Sequence, residues 1–196
     1  GLVNQWQEEL REKGGLIVPR LEGSNRLVYP NGEKKKIDSI KSAFNEELLV
    51  MSRETARMDS NLQHLMSVNP WDLIMLDEAH AAKRKGGEGE FNSGNLLLSM
   101  LRHLHHSKQT KGLMLLSATP MQLNPWEPWD LLSVLGDGGY WLAGFKDIRT
   151  YYDTIYNIQN GRMVVHDEAK ITSNLICSDH PFPESNGSIV YNSPEE

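Results

Sequence analysis

Cysteine is nearly absent from the 196-residue chain. Cys177 stands alone, so no disulfide can close within it, and a reducing compartment suits it. Long apolar runs are lacking as well. The longest, at residues 48–51, 73–76 and 113–116, hold a few residues each, far short of the roughly 20 that a membrane-spanning helix needs. No basic, apolar leader opens the chain. Nor is there an initiator methionine: the start at Gly1-Leu2-Val3 reads as a segment from inside a longer protein. Internal repeats are missing. So is an excess of positive charge, since 20 Lys and Arg face 26 Asp and Glu for a net charge of −6. That balance disfavours indiscriminate nucleic-acid binding.

What is present suits a globular domain, or one domain with an appendage. Hydrophobic residues make up 39%, enough for a sizeable core. The acidity is uneven. Residues 160–196 carry two basic and six acidic groups, whereas residues 1–159 carry 18 and 20. Two small basic clusters stand in the first part, Lys34-Lys35-Lys36 and Lys83-Arg84-Lys85. Each alone reads more readily as a solvated loop than as a binding patch.

Three short apolar runs are expected as strands: residues 47–51 (ELLVM), 72–76 (DLIML) and 112–116 (GLMLL), with a weaker fourth at 16–21. None alternates polar with apolar, which predicts strands covered on both faces, as in a parallel sheet flanked by helices. Helical patterns fall between them, at residues 3–13, 53–66, 96–106, 126–135 and 146–158. Gly14-Gly15 and Gly136 are natural stops. Strand alternating with helix predicts an α/β domain with a mostly parallel sheet. Beyond about Asn160 the periodicity fades. Pro181, Pro183 and Pro194 stand among Ser and Asn there, so residues 160–196 are expected to form a loop-rich acidic tail or insertion.

Polar residues follow directly on two of the strands. Asp77-Glu78-Ala79-His80 ends one and Ser117-Ala118-Thr119-Pro120 ends another. Ligands of open α/β sheets bind at the carboxyl ends of strands. A carboxylate there suits Mg²⁺, which takes oxygen ligands and keeps much of its water. A neighbouring carboxylate can orient and polarise an attacking water, as phosphoryl transfer requires.

The pairing of Asp-Glu-Ala-His with Ser-Ala-Thr-Pro forty residues later (117 − 77) resembles motifs II and III of superfamily 2 helicases. The continuation LLSATPMQLNPWEPWDLLSVLG, residues 115–136, resembles the Swi/Snf-type ATP-dependent DNA translocases. Bacterial members, such as RNA-polymerase-associated ATPases and phage-defence helicases, are nearest in flavour. Gln5-Trp6-Gln7-Glu8-Glu9-Leu10 resembles the element after motif Ia, and residues 49–57 (LVMSRETAR) resemble the segment near motif Ib. The resemblance covers residues 1–158.

It implies an incomplete RecA-like lobe over residues 1–159, with ATP and Mg²⁺ as cofactors. Asp77 would hold Mg²⁺ through water, Glu78 would activate the hydrolytic water, and His80 would bridge toward motif III. Ser117, Ala118 and Thr119 would couple nucleotide state to DNA contact and lobe movement. Gln122 and Asn124 continue that motif without an assigned role. Ser52, Lys83, Arg84 and Lys85 are candidates for contact with DNA phosphates. The implied partners are double-stranded DNA or a DNA-bound protein complex, and a second RecA-like lobe in cis. The implied location is the bacterial cytoplasm, away from any membrane.

One absence bears on this. The family cradles ATP phosphates in a G-x-x-x-x-G-K-[ST] loop, and no Gly-Lys-Ser or Gly-Lys-Thr occurs in the chain. The family's layout puts that loop about forty residues before the point where this chain begins. Truncation is the simplest account, and the 196 residues alone are expected neither to hydrolyse ATP nor to be very stable. In related folds the motif III strand pairs with the missing motif I strand, so residues 113–116 would offer an open apolar edge. Two other readings remain: a restriction-type superfamily 2 translocase subunit, and a non-catalytic interaction module on a degenerate RecA-like fold.

Other features point to packing or chance. His103, His105 and His106 have no second ligand pair near them in sequence, which disfavours zinc. Trp126 and Trp129 fall among leucines at helical spacing, which favours packing over base stacking. Trp6 and Trp71 are read the same way. Asn186-Gly187-Ser188 matches a glycosylation sequon by chance, and Cys177 has no neighbouring base to make it a nucleophile.

Overall fold

A computed structural model describes residues 1–85, 94–120, 124, 126–135 and 145–176. Two compact units divide the chain. The first comprises Gly1–Leu73 and His106–Gly112, the second Ile74–His105 and Leu113–Glu196. Helices and strands mix in an α/β arrangement with a small parallel sheet.

The first unit opens with α1 (Leu2–Gly14). Gly15 ends it with φ of 65°, a left-handed conformation that suits glycine. Arg11 and Lys13 lie in its last turn, where cations complement the helix dipole. The chain then makes an antiparallel sheet of β1 (Arg20–Glu22), β2 (Arg26–Val28) and β3 (Lys34–Lys36). The β2–β3 turn closes with the Gly32 N–H donating to the Tyr29 carbonyl, and Gly32 takes φ of 86°. Leu21 and Leu27 face each other across this sheet and are buried with Ile37, Ile40 and Phe44. Gln7 is buried too. Its side-chain amide donates to the Val18 carbonyl (2.8 Å) and the Val28 carbonyl (2.7 Å), tying α1 to the sheet.

Several expectations need correction in this unit. The Lys34-Lys35-Lys36 cluster is strand β3 and not a loop. Residues 47–51 form no strand. Val50 alone makes a parallel bridge to Arg20, because Leu48 stays exposed and Ser52 already turns the chain into a helix. The single helix expected over residues 53–66 is broken into α3 (Arg53–Ala56) and α4 (Asp59–Leu65). Met58 is extended at the break, and the Asn61 side chain donates to the Thr55 carbonyl at 2.7 Å. A short α2 (Ile40–Ala43) precedes them.

β4 (Trp71–Leu76) and β5 (Thr110–Leu115) pair side by side. The Trp71 N–H donates to the Gln109 carbonyl and the Leu116 N–H to the Leu76 carbonyl, so the partners advance together and the strands are parallel. Both strands contribute residues to each unit. The connection between them contains α5 (Leu96–His106), which makes the pair a β-α-β crossover. The expectation that these strands are covered on both faces does not hold among the described residues. Leu73, Met75 and Met114 are 47%, 49% and 43% exposed.

In the second unit, α5 buries Leu97, Leu98, Met100, Leu101 and Leu104 at helical spacing. Asn95 starts it, its side-chain oxygen accepting from the Leu98 N–H at 2.9 Å. Gly94 leaves no room for a side chain: a Cβ there would lie 2.8 Å from that of Leu98. Then follow α6 (Trp126–Leu135), α7 (Phe145–Gln159) and α8 (His166–Ile176). Leu131, Val134, Phe145, Ile148 and Leu175 join the core. α8 falls within residues 160–196, where a loop-rich stretch was expected; the acidic first turn of Asp167 and Glu168 complements its dipole. No helix of the described residues is long and apolar enough to cross a membrane.

Candidate functional site

The residues at the ends of β4 and β5 meet in the second unit. The Leu116 N–H donates to the Leu76 carbonyl, and the Ala79 N–H donates to the Leu116 carbonyl, both at 2.9 Å. These bonds hold Asp77-Glu78 beside Ser117. Ala79 is fully buried at the start of a 3-10 turn, Ala79–Ala81, against which α6 packs. Asp77, Glu78 and His80 are each half-buried.

Glu78 takes a left-handed backbone conformation, with φ of 53° and ψ of 48°. For a non-glycine residue this costs about 1–2 kcal/mol. The Asp77 carboxylate offsets part of it by accepting from the Glu78 N–H at 2.8 Å. The Asp77 carboxylate turns back on the Glu78 amide, while the Glu78 carboxylate reaches His80.

His80 links the two segments. Its Nδ1 lies 3.1 Å from Glu78 Oε2 and 3.2 Å from Ser117 Oγ. A nitrogen beside a carboxylate oxygen is best placed with its proton on, so Nδ1–H faces two acceptors, Glu78 and Ser117. Ser117 Oγ also accepts from the Thr119 N–H at 3.3 Å. The chain Glu78–His80–Ser117–Thr119 is therefore continuous. Ala118 and Thr119 are exposed. Asn124 stands before α6, its N–H directed to Glu127 Oε2 at 3.4 Å. Gln122 lies outside the described residues.

The other candidates stand apart from this cluster. Ser52 caps α3, its Oγ accepting from the Thr55 N–H at 3.1 Å. Lys83 and Lys85 are exposed, whereas Arg84 between them is buried and its side chain is only 2% exposed. The Arg84 guanidinium donates to both oxygens of Asp130, at 2.8 and 2.7 Å, and Asp130 is fully buried on α6. Trp129 and Phe145 stack against it at 5.5 and 5.4 Å, a cation–π arrangement. Arg84 is thus turned inward and does not offer its charge to a phosphate. Trp126 and Trp129 both pack on Phe145. The missed signal was Asp130 itself, a lone carboxylate among the leucines and tryptophans of α6.

Among the described residues no group of three His, Cys, Asp or Glu side chains is arranged as a metal cage. The pair at Asp77 and Glu78 fits a metal that takes one or two carboxylates and completes its shell with water and phosphate oxygens, as Mg²⁺ does.

No family model matches the chain. It is similar to the RNA polymerase-associated protein RapA of Actinobacillus pleuropneumoniae serotype 5b (strain L20), at 24% identity over 188 residues covering 93% of this chain. It is also similar to YqhH of Bacillus subtilis (strain 168), named as an uncharacterized ATP-dependent helicase, at 29% identity over 137 residues, or 70% of this chain. The chain spans 19% of the length of each.

Proposed function

We propose that this chain is part of the first RecA-like lobe of a Swi/Snf-type ATP-dependent DNA translocase. The observation that carries the reading is His80, placed between Glu78 and Ser117 at 3.1 and 3.2 Å. It joins a carboxylate able to act on water to a segment able to respond. Similarity to an ATP-dependent helicase and to an RNA polymerase-associated protein supports the same class.

In this reading Asp77 would hold Mg²⁺, which would supply neutralisation of phosphate charge. Glu78 orients the attacking water and takes its proton. The His80 Nδ1–H is shared between two acceptors, so its hydrogen bond passes to Ser117 when Glu78 turns toward water. Ser117 holds the Thr119 amide, and a change at His80 is transmitted to the exposed Ala118-Thr119 turn. The phosphate cradle and the second lobe are to be supplied by other residues of the parent protein, in the bacterial cytoplasm. Double-stranded DNA or a DNA-bound protein complex is the partner.

The test is ATP hydrolysis by a longer chain that includes the phosphate-binding loop. Turnover that rises with added duplex DNA is expected. A chain that binds its partner without turnover would favour the non-catalytic module.

A further inference from the structure

The chain has a net charge of −6, yet one face of its three-stranded sheet gathers the opposite charge. Register sets the composition of that face. Arg20, Val28 and Lys34 form one cross-strand row, and Glu22, Arg26 and Lys36 form another two residues along. Residues two apart on a strand share a face. Arg20, Arg26, Lys34, Lys36 and Glu22 therefore share a face; Arg20 is mostly buried there, its side chain 18% exposed, and Arg26, Lys34 and Lys36 make the open part. The alternate row of Leu21, Leu27 and Lys35 belongs to the other face, where both leucines are buried.

The single carboxylate is already used. Glu22 accepts from Arg20 at 3.3 Å and Arg26 at 3.0 Å, and these bonds hold its carboxyl below the usual range. It stays ionised at neutral pH, and the open part of the face, Arg26, Lys34 and Lys36 against this one carboxylate, remains positive. Lys34 and Lys36 are exposed; the Lys34 charge also helps to lower the Glu22 carboxyl, and neither lysine makes a direct ion pair among the described residues. Arg26 stands directly opposite Lys36, and like charges directly opposite destabilise a sheet. Glu22 compensates Arg26 on one side, while Lys36 has a cation and no carboxylate directly opposite it, a repulsion that a bound polyanion would relieve.

We infer that the β2–β3 face, through Lys34, Lys36 and Arg26, binds the phosphate backbone of double-stranded nucleic acid. The spacing suits a repeating anion: Lys34 and Lys36 are two residues apart, about 6.6–6.8 Å along a strand. The one apolar residue of the face, Val28, is buried. It offers no exposed anchor of the kind that protein partners use. Contact of this type is sequence-neutral and driven by counterion release. The inference stands beside the hydrolytic reading, because binding here needs no nucleotide and no residue at the ends of β4 and β5.

The experiment is fluorescence anisotropy of the 196-residue chain with a 20-base-pair duplex, across a salt series without nucleotide, for the parent and Lys34→Gln/Lys36→Gln. Loss of two phosphate contacts should flatten the slope of log K against log salt by about 1.8, so between 50 and 200 mM salt the parent loses about 12-fold more affinity than the variant. The variant's thermal midpoint should be equal to the parent's or higher, since a repulsion has been removed. An unchanged slope, or no binding by the parent, overturns the proposal. So does polyglutamate of equal charge binding as tightly as the duplex and losing affinity in the same variant, which would assign the face to an acidic polypeptide.

Discussion

Arg84 and Asp130 form a fork-to-fork pair, 46 residues apart in sequence, with side chains 2% and 0% exposed. The pair fastens the segment that follows Asp77-Glu78 to α6, which follows Ser117-Thr119. The two segments that lead away from the candidate site are thereby joined by one buried ion pair. Arg102 adds a longer contact to Asp130 at 3.4 Å.

Removing one partner should be far worse than removing both. Arg84→Met leaves a buried carboxylate without its main counter-charge and is expected to cost about 3–5 kcal/mol. Arg84→Met with Asp130→Leu should recover much of that, because the remaining surroundings are Trp129 and Phe145, with the part-exposed Arg102 able to reach water. Urea unfolding of the two variants measures the difference. Equal destabilisation by both would contradict the account.

Gln7 fills a similar role in the first unit by other means. Its amide serves two buried carbonyls, those of Val18 and Val28. Gln7→Ala removes that donor from both carbonyls; Val28 keeps its ladder partner across from Arg20, so a loss of about 1–3 kcal/mol is expected, the cost of one buried polar group losing its partner. Loss of hydrogen-exchange protection should concentrate in α1 and β2. A variant with parental stability would show that water replaces the amide.

The 196 residues by themselves should not turn over ATP. They hold the carboxylates but no G-x-x-x-x-G-K-[ST] loop to seat the phosphates. Phosphate release with Mg²⁺ and ATP should stay at the background rate. Mg²⁺-dependent hydrolysis by this chain would sink the view that the cradle lies elsewhere in the parent.

Much of this was legible from residue order. Helices α1, α5, α6 and α7 follow from apolar spacing and their glycine or polar stops. The strands β4 and β5 follow from their apolar runs, and the polar residues after them mark the candidate site. The hairpin was not legible, because a strand of three lysines has no apolar alternation to reveal it. Its turn residues, Pro30-Asn31-Gly32, were the available signal. Arg84 was misread for a different reason. Local sequence shows a basic cluster, while the burial of its middle member depends on a carboxylate 46 residues away. Residues 47–51 had the composition of a strand but find a partner at Val50 alone.

The central claim is that Glu78 acts on water at this site. Its most direct test is single-turnover hydrolysis, set beside nucleotide affinity, in a longer chain that contains the phosphate-binding loop and carries Glu78→Gln. The account predicts that ATP is bound nearly as tightly as by the parent while hydrolysis is abolished. Retained turnover in that variant would remove Glu78 from the mechanism.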